Sequence, residues 1–198
     1  MTRILIILLA AIFVAGCNNN CKIRYTADDE ISISSECFDA KITSHKFKDG
    51  QGVLTFDKAI TKIGEKAFSG CIFMTSITIP NSIKEIESAA FYWCGKLRSI
   101  TIPNRVTTIR QGAFFGCISL TNITIPKNVT TIRQGAFFGC TSLRSVYCKA
   151  TTPPTGASQM FGNNAADRII YVPRNSVSAY KSASYWCDYA DYIVGYDF

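Results

Sequence analysis

Apolar and polar positions along this chain are patterned on two scales. From Ile4 to Val14 every residue is apolar, a run of eleven that is too short to cross a bilayer as a helix and fits the hydrophobic segment of a secretory signal. Further on, apolar residues recur at a fixed distance: Ile63, Ile86, Ile109 and Ile132 lie 23 residues apart, and each opens the pattern Ile-x-x-x-Ala-Phe-x-x-Cys. The same period generates columns Ala67, Ala90, Ala113, Ala136; Phe68, Phe91, Phe114, Phe137; Cys71, Cys94, Cys117, Cys140; and Met74, Leu97, Leu120, Leu143. Between them Ile77-Thr78-Ile79-Pro80 returns as Ile100 to Pro103 and Ile123 to Pro126, an alternation that predicts a short strand.

A fixed period with fixed apolar positions predicts a repeat solenoid, mainly β, in which each unit stacks on the next at about one strand spacing, ~4.8 Å, so that like residues lie over like. One unit cannot bury its own apolar face, so the ends need caps. Residues 53–173 are expected to form the solenoid, because Val53 to Phe56 aligns with Ser76 to Ile79 and Ile170 to Pro173 repeats the strand with its proline. Thr151-Thr152-Pro153-Pro154 breaks the phase, and one inserted residue restores it, since Phe161 lies 24 after Phe137 and Asn164 lies 24 after Cys140. Residues 17–52 read as a tether and N-terminal β cap, with strand-like alternation at Glu30 to Ser34 and Ala40 to Phe47. Residues 174–198 read as a C-terminal cap, with Ser176 to Ala183 as a short helix and Tyr185, Trp186, Tyr189 and Tyr192 covering the last layer.

Each unit, such as Leu97 to Pro103 followed by Ile109 to Cys117, resembles the leucine-rich repeats of the BspA type, also called the Treponema pallidum type. The resemblance implies a leucine-rich repeat fold in which the Asn or Cys position hydrogen-bonds backbone inside the turn; Asn164 standing in the cysteine column suits that role. It also implies an interaction protein, since members are associated with adhesion to host proteins, cells or other bacteria; a periplasmic scaffold and an accessory glycan-binding lipoprotein are the alternatives. At the other end, Arg3 precedes the apolar run and Val14-Ala15-Gly16-Cys17 resembles a bacterial lipobox of the Bacteroides type. That resemblance implies a signal peptide over residues 1–16, lipidation at Cys17 and an outer membrane lipoprotein. Lipoproteins exported to the surface carry acidic residues just after the lipidated cysteine; here Asn18-Asn19-Asn20 stands instead, which leaves the cell surface and the periplasmic face both open.

Composition narrows the function. With 47% apolar and 18% charged residues the chain is globular rather than disordered. The net charge of +7 sits in the middle: residues 76–150 carry nine Lys/Arg against two Asp/Glu, whereas residues 18–75 carry eight of each. An acidic partner, such as an acidic glycan or an acidic host or envelope protein, would feel that field; nucleic acid is not expected outside the cell. Catalysis is not expected. His45, the sole histidine, has no evident carboxylate partner in sequence, and no nucleophile elbow, phosphate-binding glycine loop or metal-ligand cluster is present, so neither cofactor nor metal is expected. A column of thiols lies along a line rather than around a tetrahedron, which favours free buried cysteines; Cys21 with Cys37 is the one pair considered for a bridge.

Candidate binding residues follow from the strand template, whose variable positions point away from the core. They form rows Thr75-Ser76-Thr78, Arg98-Ser99-Thr101, Thr121-Asn122-Thr124 and Arg144-Ser145-Tyr147, a face of hydroxyls with two guanidinium groups and a tyrosine. Ser and Thr are also what a solvated strand selects, so solvation alone accounts for part of this pattern. A second row holds Glu87, Arg110 and Arg133, with Lys96, Arg105 and Lys127 adding to the basic middle. Tyr92, Trp93, Phe115 and Phe138 follow the core phenylalanines, either as an exposed aromatic ridge or as packing between turns. The lipobox reading has a direct check: Cys17→Ser is expected to abolish acyl labelling and signal cleavage in cells fed a labelled fatty acid, and unchanged labelling would refute it.

Overall fold

The computed structural model describes residues 19–198. The signal segment 1–16, the lipidation site Cys17 and Asn18 lie outside the described residues. In chain order the strands are β1 (Lys22–Ala27), β2 (Ile42–Lys48), β3 (Gln51–Phe56), β4 (Lys62–Ile63), β5 (Met74–Thr78), β6 (Glu85–Ile86), β7 (Ser99–Ile100), β8 (Thr108–Ile109), β9 (Asn122–Ile125), β10 (Thr131–Ile132), β11 (Ser145–Cys148), β12 (Ile169–Pro173) and β13 (Ile193–Tyr196), with one α-helix, α1 (Val177–Ser182), before the last strand.

The repeats build a solenoid with two parallel ladders. The longer strands pair in parallel from β5 to β7 and from β9 through β11 and β12 to β13, with a Thr101–Thr124 bridge joining the two sets. On the opposite wall the two-residue strands stack in the order β10-β8-β6-β4. Turn residues complete a third line of bonds, with the amides of Phe68, Phe91 and Phe114 each donating to the alanine carbonyl one turn on, all at 2.8 Å. The mainly β repeat solenoid expected from the 23-residue period is therefore the one observed, with the parallel ladders that the leucine-rich repeat resemblance implied.

Inside the coil the columns are in register. Phe68, Phe91, Phe114 and Phe137 are fully buried and stack with centroids 5.2 Å apart and planes within 4° of parallel. A separation wider than van der Waals contact, at about 3.5–4.0 Å, means that the rings slide into the offset geometry that aromatic quadrupoles prefer. Phe161 continues the stack at 5.4 Å, so the inserted residue in the Thr151 to Pro154 region is absorbed outside the core. The thiols of Cys94, Cys117 and Cys140 donate to the carbonyls of Phe68, Phe91 and Phe114 at 3.0, 3.2 and 3.1 Å, and Asn164 Nδ2 donates to Phe137 at 2.7 Å in the same role. Burial pushes the Cys71 thiol up to about 11, and the adjoining Cys117 thiol together with burial holds Cys140 well above the usual range. The raised values of Cys71 and Cys140 disfavour the thiolate, the form in which a cysteine acts as a nucleophile.

The caps depart from expectation in instructive ways. Residues 30–34 form no strand, whereas the stretch read at Ala40 to Phe47 is β2, paired antiparallel with β3; a further cap strand, β1, enters antiparallel between β3 and β5, with Tyr25 opposite both Gly52 and Ile77. Val53 to Phe56 therefore does not lie directly on the next repeat's strand. Gly52 is required at that crossing because a side chain there would overlap the Tyr25 ring. Cys37 is a free thiol, so the bridge considered between Cys21 and Cys37 does not form. Asp39 ties the cap to the first turn by accepting from the Thr61 hydroxyl and the Thr61 and Lys62 amides. At the far end, Trp186 and Tyr189 cover Phe161, whereas Tyr185 is 46% exposed and Tyr192 only partly buried. The cap's polar tips replace the missing next turn: the Phe161 amide donates to the Tyr189 hydroxyl, Trp186 Nε1 to the Pro154 carbonyl and the Tyr180 hydroxyl to the Ala150 carbonyl.

Two substitutions test this ladder. Phe114→Ala should destabilise by about 3–5 kcal/mol in denaturant unfolding, the cost of a large-to-small change in a closed core. Cys117→Ser should be milder than Cys117→Val, because serine keeps a donor for the Phe91 carbonyl, and leaving that group unsatisfied costs about 1–3 kcal/mol.

Candidate interaction surfaces

The parallel ladder aligns the outward residues of the long strands into columns. Ser76, Ser99, Asn122 and Ser145 stand in register, as do Thr124, Tyr147 and Tyr171, with Thr101 bridged to Thr124. β1 extends this face beyond the repeats, because Arg24 pairs with Thr78 and Thr26 with Ser76; the Thr26 hydroxyl lies 2.7 Å from those of Thr75 and Ser76. Arg98, Ser99, Thr101 and Asn122 are exposed, while Thr124 and Tyr147 are half-buried by their neighbours. The sequence rows are thus brought together on one surface, with β1 as a contributor that the period could not reveal.

Charge on this face is less one-sided than in the sequence. Arg144 Nη1 sits 3.2 Å from the Asp167 carboxylate, and Lys96 Nζ 2.6 Å from Asp28. Arg98 makes no ion pair among the described residues. On the second row Glu87 lies between two cations, 3.2 Å from Arg110 Nε and 3.8 Å from Lys62 Nζ, so charges alternate there instead of adding. Arg133 is exposed and unpaired among the described residues. These partners were missed because Asp28 and Asp167 come from outside the regular units, and Lys62 was not aligned with the row.

The far end of the strand face is aromatic. Tyr147 stacks on Tyr171 at 4.8 Å, Tyr196 packs edge-on against both, and Phe198 follows at 5.1 Å with Lys149 over its ring. On the turn side, Tyr92, Phe115 and Phe138 form a second stack at 4.9 and 5.0 Å, outside the buried phenylalanines. Both readings of these residues hold in part: Tyr92 and Trp93 are exposed at 36% and 48%, while Phe115 and Phe138 are half-buried. A groove of about 510 Å³ runs along this stack.

His45 has partners that sequence distance concealed: its Nε2 is 2.6 Å from the Tyr25 hydroxyl and its Nδ1 is 3.7 Å from Glu30. Burial raises the Tyr25 phenol to about 12, so it is neutral and unsuited to act as a base near neutral pH. No group of three or more His, Cys, Asp or Glu able to hold a metal occurs among the described residues, and no helix among them is long and apolar enough to cross a membrane.

If Glu87 sets the charge of the second row, Glu87→Gln should raise the salt concentration needed to elute the protein from a cation exchanger. The accompanying stability loss should be about 1 kcal/mol or less.

Comparison with known proteins gives two findings. Residues 31–165 match the model of the BspA type Leucine rich repeat region, in 6 copies. Among solved structures, a leucine-rich repeat protein from Bacteroides ovatus is similar at 23% identity with a TM-score of 0.33, over 68% of this chain and 47% of that one. The chain thus spans about half the length of that relative. No curated protein matches the sequence.

Proposed function

The chain belongs to the BspA type leucine-rich repeat family, and from that premise we propose that it is a binding protein of the cell envelope, held by a lipid at Cys17, whose strand face recognises a protein partner. The repeat family is generally a scaffold for interaction rather than catalysis. The observation that carries the reading is the register of the outward columns, which makes one continuous surface from Arg24 on β1 to the tyrosines on β11 and β12. Such a surface has rows of hydroxyls with the Asn122 amide among them, guanidinium groups at Arg24 and Arg98 without an ion pair among the described residues, and a cluster of aromatic anchors at its end. Aromatic residues and arginine dominate binding energy where they are desolvated by a partner, and hydroxyl rows supply complementarity around them.

The envelope location rests on the lipobox-like run at Val14 to Cys17. Whether the module faces host material or an envelope neighbour follows from exposure: protease treatment of intact cells degrades a surface protein and spares a periplasmic one. For the strand face, the full chain is used to capture partners from host mucus and from its own envelope, beside the variant Arg98→Glu with Tyr147→Ala. The expected result is a protein recovered by the native chain and weakened about tenfold or more in the variant, as removal of hot-spot residues requires. Recovery that is equal with both forms would refute the strand face as the binding surface.

A further inference from the structure

The groove on the turn side has a chemistry of its own. It is lined by the outer aromatic stack of Tyr92, Phe115 and Phe138 and by Gln111, Gln134 and Gln159. Gly112 and Gly135 also line it, both in the left-handed region at φ 58°, and the same column holds Ala89 and Gln159 in the flanking turns. Tyr92 ends the aromatic stack: Phe115 covers one face of its ring, Trp93 stands edge-on to it at 6.3 Å, and the position one turn before it is Ser69, so no second ring stacks on Tyr92. Glu65 and Ser88 also line the groove.

We propose that this groove binds a short stretch of neutral oligosaccharide, with one pyranose ring seated on the open face of Tyr92 and the following sugars lying along the glutamine side chains. A carboxamide presents a donor and an acceptor side by side, the arrangement that pairs with two vicinal hydroxyls. The side-chain amides of Gln111, Gln134 and Gln159 make no hydrogen bond to the described residues, so they are available to do so. An aromatic face takes the apolar C–H face of a sugar. The length also fits: the central turns advance by about 5 Å each, so the trough of about 10–15 Å holds two or three sugars, and its volume of about 510 Å³ lies within the range of small-ligand sites.

The backbone argues against an extended peptide. The amides of Ala89, Gly112 and Gly135 are already bonded to the carbonyls of Gln111, Gln134 and Ser158 at 2.9, 3.1 and 3.2 Å, so the groove has no open main-chain edge for a strand to join. The charged residue of the lining, Glu65, is paired with Lys66 at 3.7 Å, so the groove presents no unpaired charge to its ligand, unlike the basic middle. The proposal is independent of the strand-face reading, since none of its residues lies on the long strands.

The test is isothermal titration of the full chain, in a detergent that carries no sugar, with gluco-, xylo- and manno-configured β-linked mono-, tri- and hexasaccharides, beside chondroitin sulfate and a proline-rich peptide. The expected result is binding of at least one neutral series, tighter for the trisaccharide than for the monosaccharide. Tyr92→Ala and the double variant Gln111→Ala with Gln134→Ala should each weaken it about tenfold or more, with melting unchanged, while Tyr92→Phe keeps it. Absence of binding by every neutral series, binding that survives both groove variants, or binding in the groove of the peptide or the sulfated glycan instead would overturn the proposal.

Discussion

Everything in this molecule depends on each turn lying on its own image. A phenylalanine can stack at 5.2 Å on the phenylalanine before it, and a cysteine thiol can reach the carbonyl above it, only when the chain returns to the same place after every circuit. The two contacts have different physics and the same demand. Ring stacking and burial supply the bulk of the attraction, while the thiol or amide satisfies a carbonyl that would otherwise be buried without a partner. Loss of register would remove both together, which explains why the extra residue near Pro154 is placed in the surface loop and not between Phe137 and Phe161.

The columns were legible in the sequence because they obey one rule at one spacing, and the coil interior follows from them almost residue by residue. The caps were less legible because they do not repeat. β1 carries apolar Ile23, Tyr25 and Ala27 inward at alternate positions, a strand pattern, yet nothing local says that it runs against the direction of the repeats and slots between β3 and β5. Glu30 to Ser34 alternates just as plausibly and forms no strand. The surface shows the same division. That Ser99 and Asn122 share a face follows from the period, whereas the pairing of Arg144 with Asp167 and of His45 with Tyr25 and Glu30 depends on where loops and caps fold back. A linear reading therefore overstates the positive field of the middle repeats.

The architecture also constrains what its surfaces can do. A solenoid repeats each outward position about every 5 Å, so it produces rows of similar groups rather than the convergence of unlike ones that acid–base or nucleophilic chemistry needs. Rows suit extended targets. The strand face and the turn-side groove are two such rows on different walls, one rich in hydroxyls and the other in aromatic edges and amides.

The reversed cap strand has a bearing on the order in which the molecule assembles. Successive repeats meet across 23 residues, but Thr26 meets Ser76 across 50, so β1 leaves the ribosome well before one of its two flanking strands exists. Contacts that span more chain form later and more slowly than those between adjacent turns. The seam between β1 and β5 is thus a less local contact than those between adjacent turns, at an extra closure cost of about 0.7 kcal/mol, and it cannot form before the first repeat's long strand has been made.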